Sequence, residues 1–157
     1  MNDNPYESPQ AELTERANRT PTTVYTPGQI AAGSFWGGPL ATVYLLHTNY
    51  ESLGNATLAS RTRTLGIIFL VGLMLLLMLL PSSFPSIVVP LVYSMVAHGI
   101  ANETQLSKQQ INASDDYRRY SNWRVFGIGC LTLVLFFVLA VPVLMALEAL
   151  GLVSLEA

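Results

Sequence analysis

Polar and apolar positions divide this chain into a polar lead and four apolar segments. No Asp, Glu, Lys or Arg occurs in the 39 residues from 64 to 102, or in the 23 from 125 to 147. The first run would make about 58 Å of helix at ~1.5 Å per residue, nearly two crossings of a ~30 Å hydrocarbon layer. Pro81-Ser82-Ser83-Phe84-Pro85 splits it, which predicts a helical hairpin with almost no loop between segments at about 65–80 and 84–101. A weaker segment at about 30–48 contains Gly33, Gly37, Gly38 and Pro39. The pattern predicts an all-α membrane bundle with transmembrane helices at about 30–48, 65–80, 84–101 and 125–147. The alternative is three crossings plus a re-entrant first segment.

The lead, residues 1–28, is rich in Pro, Asn, Thr and Glu, and poor in large apolar side chains. Such a segment buries too little surface to offset its ordering entropy, so a disordered tail is expected. Asn4-Pro5-Tyr6-Glu7-Ser8-Pro9 reads either as a short docking motif or as a chance cluster on a solvated tail. With a polar start there is no secretory signal pattern, and the first apolar segment is expected to direct insertion itself.

Within that first segment Gly33, Gly37 and Ala41 recur every four residues, a stripe of small side chains that lets another helix approach closely in lipid. The expected partner is Gly127 of the last segment, with Val43 facing lipid. Pro39 is expected to kink the helix. Residues 65–80 contain no polar side chain and suit a lipid-facing or core span. In the connection at 102–124, Ser114 followed by Asp115 and Asp116 suits a helix start. Tyr117, Tyr120 and Trp123, interleaved with Arg118, Arg119 and Arg124, suit the headgroup level.

Charge sharpens the picture. Charged residues make up 11% of the chain, against about 25% in typical soluble domains, and a net charge of −2 leaves no basic face for nucleic acid. Lys and Arg favour the cytoplasmic side of short loops. Arg61 and Arg63, then Lys108, Arg118, Arg119 and Arg124, therefore place the loops at 51–63 and 103–123 in the cytoplasm. Four crossings would leave Arg16 and Arg19 outside; a re-entrant first segment puts all eight basic residues inside. Asn-x-Ser/Thr triplets at Asn18, Asn55, Asn102 and Asn112 are read as chance, because two lie in the basic loops and Asn102 begins one. The only cysteine, Cys130, is read as inert.

Chemistry is sparse. There is no phosphate-binding loop, His-Glu-x-x-His or Gly-x-Ser-x-Gly. Ser94 and His98 share a helix face, but a nucleophile and base also need an oxyanion hole; Ser94 is expected to bond back to its own helix. His47 is read as interfacial. Glu148, the one acid beside an apolar span, is a polar candidate that at a helix end simply reaches water. No catalytic, cofactor-binding or metal residue is assigned. The reading is a structural or accessory component whose partners are the lipid bilayer and either copies of itself or another membrane protein. A small transporter or channel subunit, acting as an oligomer, is the alternative; a membrane enzyme is a distant third.

Tyr25-Thr26-Pro27-Gly28-Gln29-Ile30, Gly37-Gly38-Pro39-Leu40-Ala41, Asn49-Tyr50 and Leu53-Gly54 resemble a family of small, functionally uncharacterised bacterial inner-membrane proteins. Trp123-Arg124 before Gly127-Ile128-Gly129, and Leu147-Glu148-Ala149-Leu150-Gly151, fit the same likeness, which covers roughly residues 25 to 152. The resemblance implies a multi-pass protein of the bacterial cytoplasmic membrane and implies no activity.

Overall fold

The computed structural model describes residues 20–151 except Ser82. In chain order the elements are β1 (Thr22–Val24), α1 (Pro27–Ser52), α2 (Ala56–Leu79), α3 (Val88–Thr104), α4 (Lys108–Ala113), β2 (Tyr117–Arg119) and α5 (Asn122–Ala149). The described residues are thus mostly helical, with one two-stranded parallel pair among them.

The first apolar segment is folded back on itself. A straight helix of 26 residues would be about 39 Å long. Gly38 instead takes φ 73° and ψ −165° inside α1, a backbone conformation that glycine adopts without a Cβ penalty. Pro39 opens the second half, where its missing N–H costs nothing. The expected kink is therefore a break one residue earlier, at Gly38. The halves, 27–37 and 39–52, run antiparallel: the Leu45 side chain lies on Gly33, and Asn49 bonds the backbone of Tyr25. Both ends of α1 meet at one end of the molecule, here called the base.

Local chemistry sets the ends. Thr26 caps α1 in a capping box with Gln29, with Pro27 in the first turn. After α1, Gly54 (φ 73°) closes a Schellman turn, with Gly54 N–H on Glu51 O at 2.9 Å and Asn55 N–H on Tyr50 O at 2.8 Å. Asn55 then caps α2, and Ser121 caps α5.

The hairpin is the centre of the fold. It packs against α2, α3 and α5, which scarcely touch one another. The expected hairpin of α2 and α3 is therefore a connection only. Phe84 N–H on Pro81 O makes a turn at 2.9 Å, but the helices diverge around α1. α3 returns to the base, where Gln105, just past its end, donates to Leu46 O at 3.0 Å.

Polarity is distributed inside out. Gln29, Ser34, Thr42, Asn49, Ser94 and Thr132 are buried, whereas Leu65, Ile67, Ile68, Leu79, Leu131 and Phe137 are exposed. Among the described residues two helices are long and apolar enough to cross a membrane: α2, over Ala56–Leu77, and α5, over Asn122–Ala149. That corrects the expectation of four such helices. α1 is doubled over and rich in Gly, Ser, Thr and Asn, and α3 has 17 residues, short of the ~20 a lone spanning helix needs.

Two further expectations change. The tail was expected to extend through residue 28, but β1 pairs with β2 and Val24 and Tyr25 are fully buried; residues 1–19, with the Asn4–Pro9 motif, Arg16, Asn18 and Arg19, lie outside the described residues. Ser114 ends α4 rather than starting a helix, and its hydroxyl accepts from Asp116 N–H at 3.2 Å. Strand pairing takes Tyr117–Arg119 out of any helix, so α5 begins only at Asn122, eight residues after Ser114.

Candidate functional site

The polar groups converge at the base. Asn49 accepts from Tyr25 N–H at 2.7 Å and donates to Tyr25 O at 2.7 Å, as a neighbouring strand would. Its amide also donates to Gln105 Oε1 at 2.9 Å, drawing in α3. Tyr50 and Thr104 hydroxyls share a hydrogen bond beside it. Gln29 does the same for α5. Its side-chain amide donates to Tyr120 O and Asn122 Oδ1, both at 2.7 Å, while its oxygen accepts from Thr26 N–H. Arg124 donates to the Tyr25 hydroxyl at 3.0 Å and lies 4.3 Å over the Tyr120 ring. The Tyr25 and Tyr120 rings are 4.3 Å apart at a tilt of 31°. Burial pushes the Tyr25 phenol above its usual range, partly offset by the Arg124 hydrogen bond and charge.

At the other end of the hairpin, the apex is filled by close packing. A Cβ added at Gly37 would sit on the Thr132 hydroxyl and 2.6 Å from the Gly129 Cα. Gly33 faces Leu45 and Val125, and Ala41 is buried, so the small-residue stripe is a packing face. Its partner on α5 is Gly129 with Thr132, not Gly127, where an added Cβ meets nothing within 4 Å. Val43 does not face lipid freely; it seats against Gly66 of α2.

Two clefts flank the hairpin. One, of about 450 Å³, lies between its first half and the start of α5, lined at its basal end by Lys108, Asn112, Arg119 and Asn122 and toward the apex by Trp36, Val125 and Phe126. The other, of about 540 Å³, fills the gap between α2 and α3 and is walled by Val43, Leu65, Phe69, Val92 and Val96, with Arg61 at its basal end.

The remaining sequence candidates are scattered. The Ser94 hydroxyl donates back to Pro90 O at 2.6 Å, as expected, and His98 is exposed. No hydrogen bond joins the two. His47 pairs with Glu51 at 3.4 Å near the base. Glu148 and Cys130 are exposed on α5. Asp115 and Asp116 are exposed in the turn before β2. Of the expected interface set, Tyr120 and Arg124 belong to the base network, Trp123 is exposed, and Tyr117, Arg118 and Arg119 form β2. Sequence reasoning passed over Gln29, Asn49 and Gln105. The available signal was an amide side chain inside or bordering an apolar segment, where a polar group needs a partner.

Comparison with protein-family models, curated protein sequences and solved structures gave no match.

Proposed function

We propose that the protein is a structural, accessory component of the bacterial inner membrane. On this reading α2, α3 and α5 cross the bilayer, and α1 enters from the cytoplasmic face and returns to it. One observation carries the reading: polar side chains are buried around the hairpin while the long apolar helices face outward. In water that arrangement would waste the hydrophobic effect; in lipid it is the expected one. Once α2 crosses, α3 has to recross, because Gln105 is bonded beside Asn49 at the base. Residues 20–26 and all the described basic residues then share one side, in accord with the preference of Lys and Arg for the cytoplasm.

The accessory role rests on the filled apex. Gly37, Gly129 and Thr132 close the break at Gly38 with packing, so a broken helix here does not favour a transport path. The outward faces of α2 and α5 are left for lipid and for helices of a partner or a second copy. The family resemblance is kept as part of this proposal. The stretches that carry it cap α1, form its turn, clamp its ends and supply Gly129.

Cross-linking in native membranes, followed by mild-detergent purification, tests the role. A reproducible partner or self-oligomer linked through α2 or α5 supports it. Solute uptake by vesicles reconstituted with the chain alone would replace it with transport.

A further inference from the structure

We propose that the cleft between the first half of α1 and the start of α5 holds one anionic glycerophospholipid of the cytoplasmic leaflet. The inference rests on the membrane placement above and adds a ligand to it. The cleft is graded. Its basal end, the mouth, is lined by two cations, Lys108 from α4 and Arg119 from β2, and by the amides of Asn112 and Asn122. Among the described residues neither cation lies within ion-pair distance of a carboxylate, and the one such contact is His47–Glu51.

Gly28, Ala32 and Trp36 lead away from the mouth along one face of α1, spanning about 12 Å at ~1.5 Å per residue. Gly28 has open space where a side chain would project. At the far end Trp36 and Phe126, 62% and 51% exposed, offer apolar surface that nothing among the described residues covers. A free phosphate would use only the mouth, and a plain hydrocarbon only the far end. A molecule with an anionic head and an acyl tail uses both, and the cleft points it along the bilayer normal. The cations sit at the base, where headgroups of the cytoplasmic leaflet lie, and attract anionic lipid there.

Tryptophan quenching tests this. The chain has two tryptophans, so Trp123→Phe leaves Trp36 as the sole reporter in vesicles of unlabelled phosphatidylcholine. Brominated phosphatidylglycerol or brominated phosphatidylcholine is then titrated in. One basic residue near an anionic surface is worth about a fivefold change in affinity, so two predict roughly a 25-fold preference for the anionic lipid. Lys108→Ala with Arg119→Ala should abolish the preference. Arg118→Ala, which removes an exposed cation outside the cleft lining, should keep most of it. Added inorganic phosphate should not relieve quenching.

Equal quenching by both lipids, or a preference that survives the double variant, overturns the lipid site alone. A loss as large in Arg118→Ala reduces it to diffuse surface charge, and relief by phosphate reduces it to a simple anion site; both overturn the proposal. Quenching by neither lipid overturns the membrane placement as well. Circular dichroism of the double variant confirms that its helices are intact.

Discussion

Asn49 bonds both backbone groups of Tyr25, a residue 24 positions earlier, each at 2.7 Å. One side chain thereby stands in for a β-strand and closes the α1 hairpin at its open end. A helix of that length without the clamp would have ends tens of ångströms apart.

Replacing Asn49 by Leu should therefore be severe. It keeps the volume but leaves a buried N–H and C=O of Tyr25 without partners, each costing about 1–3 kcal/mol. We expect a loss of about 2–4 kcal/mol in denaturant unfolding in detergent. Hydrogen exchange at the Tyr25 amide should rise in step; protection unchanged from wild type would show that the clamp does not hold the hairpin.

Glycine substitutions separate packing from helix propensity. Gly37→Leu forces a side chain into Gly129 and Thr132 and should lower the melting temperature sharply or prevent folding. Gly127→Leu meets open space and should be within about 0.5 kcal/mol of wild type, or better. Gly38→Ala has room, but φ 73° and ψ −165° are open essentially to glycine alone, so a penalty of about 1–3 kcal/mol is expected from the backbone alone. Similar melting temperatures for Gly37→Leu and Gly127→Leu would rule out the close crossing.

Sidedness follows from the hairpin. In a Cys130→Ser background, single cysteines at Thr22, Asn55 and Asn112 should all resist a membrane-impermeant thiol reagent in intact cells, while Ser83 should react. Labelling of Thr22→Cys from outside, with Asn55→Cys protected, would mean that the first segment crosses after all.

The base should also respond to alkali. The Tyr25 phenol is neutral and buried, and its pKa is raised in the folded state. Such a group contributes stability that is complete below the ordinary tyrosine value of about 10 and is lost as pH climbs through the raised folded value. Unfolding midpoints should therefore hold steady up to about pH 9 and fall above about pH 10. In Tyr25→Phe the plateau should drop, because Arg124 loses its hydroxyl partner, while the alkaline fall becomes shallower. An unchanged alkaline slope in that variant would assign the fall to other groups.

Much of this was legible beforehand. The apolar runs located every long helix, and the four-residue spacing of Gly33, Gly37 and Ala41 identified a face that does pack closely. The fold-back of α1 was not legible, since periodicity cannot distinguish one helix of 26 residues from two halves reversed at a glycine. Gly38-Pro39 hinted at it, but only the pairing of Tyr25 with Asn49 decides it, and that contact is set by tertiary structure. Gly127 was expected as the partner, and Gly129, equally small and two residues on, takes that place; which one faces α1 depends on the rotation of α5, and no spacing encodes that. Polar residues at 114–119 looked like a helix start because Ser and Asp suit a cap, while the strand pairing that claims them comes from a segment nearly a hundred positions earlier.

The clamp on Gln29 also orders events in time. Its partner Tyr120 lies 91 residues further on, roughly 5 to 20 s of synthesis at about 5–20 residues per second. Throughout that interval the hairpin's amides and hydroxyls have no finished shelter, and Gly37 has nothing to nest against. Maturation of the first segment thus waits for the last. On the proposed membrane placement, a chain cut short before residue 120 would present an open polar wedge to the bilayer.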